Sequence, residues 1–305
     1  MARFLIRRLL ETIPLVLLLS FLVFTLFQLI PGDYLSEMEI NPAVPREEVE
    51  RLREEFGLNR HVVIQYAHWL REIGRGNLGY SFAQRRPAAS LIWERLWGTV
   101  YITAASFLLT LLVVVPLSLA AAMKVGRWPD QIGLAISLIG LSLPTVLSSV
   151  LFLYLAFRTG WFPIGGTGSL QHLALPVVTL TIPTVAFFFR TLRLELIDVF
   201  QQPFVLAAVA RGLPRNRVLW HALRNAVNPL ISLSGITLGG LLSGAVVVEK
   251  VFNWPGIGAL TVDSILNRDL FVALNCVLLA ALVMICANLV SDILLAWNDP
   301  RVRVR

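Results

Sequence analysis

The 305 residues are 56% hydrophobic and 15% charged, with a formal net charge of +7 and a mean hydropathy of +0.73. A soluble globular chain is nearer a quarter charged, so composition argues against a water-soluble domain and makes the bilayer the first solvent to test. The basic balance does not point to DNA or RNA, because membrane proteins collect Lys and Arg in their cytoplasmic loops.

The first predicted element follows Arg3, Arg7 and Arg8 and runs without charge from Thr12 to Ile30. It has full bilayer length and no small-residue cleavage site after it, so a retained span is expected rather than a cleaved signal. A long loop, 31–98, comes next. Within it, PREEVERLREEFG puts Val49, Leu52 and Phe56 at helical spacing. HVVIQYAHWLREIG then puts Val62, Tyr66, Trp69, Leu70 and Ile73 on one stripe, with Gly74 as a stop. Two short amphipathic helices are expected, forming a cap on the outer face. Packing on the membrane surface and docking of a partner both fit them.

Five further charge-free runs are long enough to cross about 30 Å of hydrocarbon. They are 99–123, 132–157, 173–189, 230–248 and 270–291, the last continuing toward Trp297. Pro116, Pro144, Pro176 and Pro183 fall inside these runs. Membrane helices tolerate proline where neighbours satisfy the freed carbonyls. With about six spans, both termini share a side with loops 124–131 and 190–229. That side carries 14 Lys/Arg against 6 Asp/Glu, which makes it cytoplasmic. The 31–98 loop is nearly balanced, with 9 basic and 10 acidic residues, and long loops escape that rule.

In the cytoplasmic loop 190–229, FVLAAVARGLPRNRVLWHALRN reads as helix, break, helix. Gly212 can take the left-handed conformation that ends a helix, and Pro214 suits the first turn of the next. Ala207 and Ala208 leave one surface nearly without side chain, while Arg211, Arg215, Arg217 and Arg224 surround it with positive charge. Such an element can enter a groove on a partner; an interfacial helix with snorkelling arginines fits equally well. The fifth span carries Gly235, Gly239, Gly240 and Gly244, with hydroxyls at Ser232, Ser234, Thr237 and Ser243. Static helix packing and a pore-lining face are both open for it. Cys276 and Cys286 lie ten positions apart on the sixth span, about 15 Å along a helix, too far to pair.

Several chemistries lack their residues. The chain's two lysines, Lys124 and Lys250, each precede valine, so no Walker A loop is encoded. His61, His68, His172 and His221 are scattered without an HExxH motif, and GxSxG does not occur. Carboxylates at membrane depth would suggest ion coupling. Only Glu249 and Asp292 qualify, and both are expected at helix ends, interfacial or capping. The chain reads as built to move something without an energy source of its own.

The motifs now on the page carry a resemblance that runs end to end. FLIRRLLETIPLVLLLSFLVFTLFQLIPGD, GLNRHVVIQYAHWLREIGRGNLGYSF, LSLPTVLSS and GWFPIGG resemble successive segments of the dipeptide, oligopeptide and nickel ABC importer permeases, first permease type. HLALPVVTLTIPTVAFFFRTLRLELIDVF, VVVEKVFNWPGIGALTVDSILNRD and NDPRVRVR continue it. In that family the cytoplasmic loop holds the EAA-type coupling motif, two alanines with a glycine four positions after the second. Here these are Ala207, Ala208 and Gly212, and the HALRNA-x-x-P continuation falls on His221 to Ala226 and Pro229. Leu206 stands where the motif's glutamate would, and Pro203-Phe204 replaces the common Asp-Tyr.

The resemblance implies an all-α ABC type I importer permease with three parts: 1–30, a tail and first helix; 31–98, the extracytoplasmic loop; and 99–305, a five-helix core. It implies a multi-pass protein of the prokaryotic plasma (inner) membrane. The partners would be a second homologous permease, two cytoplasmic ABC ATPases and an extracytoplasmic solute-binding protein. ATP and Mg would be bound by the ATPases, and no cofactor by this chain. Ala207, Ala208, Gly212, Leu213 and Arg215 would couple to the ATPases, and Ser232, Ser234, Thr237 and Ser243 would line the translocation path. Dipeptides, longer peptides, nickel chelates, glutathione and some sugars are the substrates it allows. An ion-coupled transporter working alone is the alternative.

Overall fold

The computed structural model describes residues 2–29, 45–47, 50–51, 61–81 and 83–298, with 2–9 and Leu270 described by backbone alone. The helix expected around Val49, Leu52 and Phe56, the Leu-Ile-Pro-Gly-Asp exit beyond Leu29 and the tail after Asn298 lie outside these residues.

In chain order the helices are α1 (Ala2–Gln28), α2 (Val62–Gly74), α3 (Ala88–Met123), α4 (Trp128–Ser142), α5 (Thr145–Thr159) and α6 (Leu170–Phe200). After them come α7 (Pro203–Ala210), α8 (Arg215–Ala226), α9 (Asn228–Val251), α10 (Ile257–Leu266) and α11 (Leu270–Asn298). A minimal hairpin, β1 (Tyr80–Ser81) with β2 (Arg86–Pro87), precedes α3. Five helices are long and apolar enough to cross a membrane, and with the bent pair α4–α5 taken as one span the total is six. The chain is therefore an all-α membrane protein of the expected type.

The third span departs from the continuous helix expected over 132–157. It bends by 102° between α4 and α5. Pro144 has no N–H to give and disfavours the helical region for Leu143, which sits extended at φ −89°, ψ 113°. The fourth span also differs. Its helix continues past the apolar run through Arg190 and Arg193 to Phe200, so the cytoplasmic connection begins about three turns later than expected. Arg193 is tolerated because Asp130, 2% exposed at the start of α4, pairs with it through both carboxylate oxygens. Asp130 also accepts from Gly126 N at 2.8 Å, which ties the α3–α4 turn to α6.

α6 is the central post. In its most apolar stretch 61% of residues are buried, more than in any other span. Toward the cytoplasmic side Phe188, Leu192 and Leu196 pack with Val114 of α3, Ala226 of α8 and Leu230 of α9. Toward the outer side Leu175 and Leu180 pack with Ile102 of α3 and Leu241, Ala245 and Val248 of α9. Hydroxyls weld these helices where lipid offers no hydrogen-bonding solvent. Ser106 donates to Val177 O at 3.2 Å, Thr181 to Ser106 O at 3.3 Å and Ser137 to Ala186 O at 2.9 Å.

α2 forms as its stripe predicts. Trp69 is buried, and Tyr66 and Trp69 meet Phe24 of α1 at ring-centroid distances of 5.7 and 5.4 Å. The Tyr66 hydroxyl lies 2.8 Å from Ser20 Oγ. The helix runs through Gly74, and the left-handed residue behind it is Gly76 at φ +83°. On the outer side Ser81 donates to Asp269, whose carboxyl burial pushes above the ordinary carboxylate range.

Candidate coupling elbow and outer clasp

The cytoplasmic elbow is built from two short helices and a glycine turn. α7 ends at Ala210, and Gly212 follows at φ +73°, a conformation that only glycine adopts without strain. Gly212 N donates to Val209 O at 2.9 Å and Leu213 N to Ala208 O at 3.2 Å. This crossed pair is the Schellman arrangement, which satisfies carbonyls a helix end would leave open. Pro214 serves as N-cap of α8, one position before the first turn where its spacing placed it. Val218, Ala222 and Ala226 recur at intervals of four and bury one face of α8.

Between α7 and α8 lies a cleft of about 370 Å³. The buried Val205 and Val218 line it together with Phe204, Ala207, Ala208 and Leu213, and Arg211 and His221 complete it. Ala207, Ala208 and Leu213 thus come together around one concavity, with Gly212 shaping its edge. Arg215 does not join them: its guanidinium reaches Met123 Sδ at 3.4 Å. Leu206, Val209 and Trp220 are 59%, 58% and 65% exposed on the same elbow. Such exposed apolar side chains suit either a protein partner or the membrane interface. Residues 201–229 contain four arginines and no acid.

The expected path residues divide. Ser232 and Ser243 stand exposed on one strip of α9 with Ile236 and Gly240. Ser234 is half-buried and spends its hydroxyl on Leu230 O at 2.7 Å, and Thr237 is half-buried. The glycines divide in the same way. A Cβ on Gly235 would lie 2.6 Å from Asn288 Cα, and one on Gly239 would lie 2.9 Å from Met284 Cγ, so both serve close packing against α11. A Cβ on Gly240 would meet nothing within 4 Å. Gly235→Leu is expected to force α9 from α11, since overpacking costs about 1–3 kcal/mol. Its thermal midpoint should fall well below that of Gly240→Leu, and equal midpoints would refute the packing role.

Glu249 departs from its expected interfacial position: it is fully buried. One carboxylate oxygen accepts from Thr99 Oγ1 at 2.6 Å and the other from Ala259 N at 2.8 Å. Thr99 in turn accepts from Ile257 N at 2.8 Å. The carboxylate therefore caps the start of α10 from α9 and binds both to α3. Trp254 closes the same knot by donating from Nε1 to Gly98 O at 3.0 Å. The capping half of the sequence expectation holds, and its solvent contact does not. The four histidines lie apart: His61 caps α2, His172 meets Ser169 and His221 lines the cleft, with His68 exposed on α2.

The chain is similar to known proteins along its whole length. Residues 114–304 match the family described as binding-protein-dependent transport system inner membrane component, and residues 1–104 match its N-terminal region. The glutathione transport system permease protein GsiC of Salmonella choleraesuis is 35% identical over 307 positions, spanning the whole of both chains. The protein of that name from Escherichia coli K12 matches at the same identity and coverage.

Proposed function

Because the chain belongs to the binding-protein-dependent transport inner-membrane component family, and is the multi-pass inner-membrane permease subunit of an ABC importer, we propose that its α7–α8 elbow is where cytoplasmic ATPases drive it. The observation that carries this reading is the exposed apolar elbow with its small-sided cleft, on the face that the basic loops assign to the cytoplasm. Ala207, Ala208, Gly212 and Leu213 form the docking surface, with Arg215 beside it. Two ATPases bind the ATP and Mg, a second homologous permease completes the pore, and a solute-binding protein delivers cargo at the outer face. The substrate class is glutathione or similar small peptides, by analogy with the relatives' names. The functional division remains that of a first span, an outer-loop unit and a five-span core.

The mechanism is alternating access. ATP can shift the spans only if the ATPases contact the two permease states unequally. The elbow lies directly below α6 and is covalently continuous with it and α9, so a displacement there enters the spans without crossing a flexible linker. Ser232 and Ser243 are the path residues the geometry favours, since their strip is uncovered in the single subunit. The missing Walker A lysine fits a subunit that hydrolyses nothing itself. A carrier driven by an ion gradient is disfavoured, because Asp130 and Glu249, the buried carboxylates of the spans, are both committed to structural partners.

The test uses the assembled importer. Leu206→Cys and Val209→Cys should each cross-link to an ATPase subunit, and uptake should require both ATP and the binding protein. Solute accumulation by this chain alone, or a complex in which residues 204–225 touch no ATPase, would defeat the reading.

A further inference from the structure

α3 carries an exposed stripe whose chemistry changes along its length. Trp93, Trp97 and Tyr101 recur every four residues and are 62%, 44% and 58% exposed. Their rings form a ladder, 5.6 Å from Trp93 to Trp97 and 6.3 Å from Trp97 to Tyr101. The same face continues through Ala104 to Leu108 and Leu112, 61% and 72% exposed. The opposite face buries Gly98, Thr99, Ser106, Thr110 and Ser118. These hydroxyl and small residues share the buried side with Leu91, Ile92, Ile102 and Val114, and an apolar exterior over a partly polar interior suits a helix whose solvent is lipid.

Height along the helix agrees. Measured from Met123 at the cytoplasmic end, 1.5 Å per residue puts Leu112 and Leu108 at ~16 and ~22 Å, Tyr101 at ~33 Å and Trp93 at ~45 Å. The hydrocarbon is about 30 Å thick, and about 40–45 Å with its headgroups. The leucines therefore fall in hydrocarbon, and the three rings run from its outer boundary at Tyr101 through the headgroup zone to the zone's outer edge at Trp93, the interface where amphipathic aromatics settle. The exposed Arg86–Glu94 ion pair, with Glu94 level with Trp93, puts the outer rung of the ladder at the edge of water.

We infer that this face of α3 is a lipid contact in the assembled importer, with the aromatic ladder seated among the outer-leaflet headgroups. It follows that the second permease and the solute-binding protein approach other faces of the chain. This goes beyond the coupling function and does not depend on it.

The test uses the complete complex in phospholipid nanodiscs. Cys286, which is exposed, is replaced by serine, while Cys276 is buried and retained. Spin labels at positions 93, 97, 101, 108 and 112 are read for collision with oxygen and with a water-soluble nickel chelate. Oxygen access should rise and nickel access fall steadily from 93 to 112. Labels screened from both reagents would mean a protein cover and would overturn the inference, as would nickel access along the whole stripe. A change at 93 or 97 on adding binding protein would overturn it too. Where labelling disturbs assembly, brominated phospholipid provides a second readout. Trp93→Phe/Trp97→Phe should remove part of the lipid-quenched tryptophan emission, and unchanged quenching counts against the ladder's placement.

Discussion

Gly212→Val is expected to leave the subunit in the membrane at normal amount and to abolish uptake. The reason is backbone geometry. Gly212 sits at φ +73°, and a Cβ there would touch nothing within 4 Å. The whole cost of substitution is therefore the left-handed conformation, about 1–2 kcal/mol for an ordinary residue and more for a β-branched one. The chain can escape that cost by melting the turn, which breaks the crossed hydrogen bonds to Val209 and Ala208. A penalty near 2 kcal/mol displaces a local equilibrium about thirtyfold, enough to misplace α7 while the buried spans stay folded. Gly212→Asn should retain most uptake, because asparagine enters the left-handed region more readily. Ala208→Trp reaches the same end without backbone strain, by filling the cleft. ATP-driven uptake in proteoliposomes, normalised to inserted protein, is the measurement. Wild-type uptake by Gly212→Val or Ala208→Trp would remove the elbow from the mechanism.

Glu249→Ala acts at the opposite membrane face and on stability rather than coupling. It takes both acceptors from a fully buried knot, leaving Thr99 Oγ1 and Ala259 N each without the carboxylate oxygen it now donates to. Each buried donor left unpaired costs about 1–3 kcal/mol, and the vacated carboxyethyl group adds a cavity term. Together they reach about 3–5 kcal/mol, a large share of the 5–15 kcal/mol that holds a domain folded. The yield of monodisperse complex should collapse and the thermal midpoint should drop. Glu249→Gln keeps the shape and one acceptor, so its loss should be intermediate. A Glu249→Ala complex as stable as wild type would show that the clasp is not what anchors α10.

The two sites differ in how far the sequence could reveal them. The elbow is a local pattern. Its alanines, glycine and proline sit within one short segment, and the conformational demand of Gly212 is visible in the residue itself. Glu249 is bound to Thr99, 150 positions away, and Arg193 to Asp130, 63 positions away. No local periodicity carries such pairs, so from sequence a carboxylate beside an apolar run reads only as interfacial or capping. The spans were legible because hydropathy reports lipid contact directly. The broken third span was not, because Pro116 and Pro144 look alike in an apolar run. Packing separates them. Around Pro116, α3 keeps Val114, Ser118 and Ala121 buried, and the helix stays whole. From Leu141 to Leu147 no residue is buried, so nothing holds the chain straight where proline deletes a hydrogen bond.

α6 remains one uninterrupted rod from Leu170 to Phe200, about 46 Å at 1.5 Å per residue, despite its two prolines. A continuous rod of this length can work as a rocker. A tilt of about 5° around its midpoint would carry the two tips about 2 Å in opposite directions, within the range of known interface shifts. Whatever pushes outward at the foot is thus felt as an inward pull at the far leaflet. One stiff helix can open one mouth of a passage while it shuts the other.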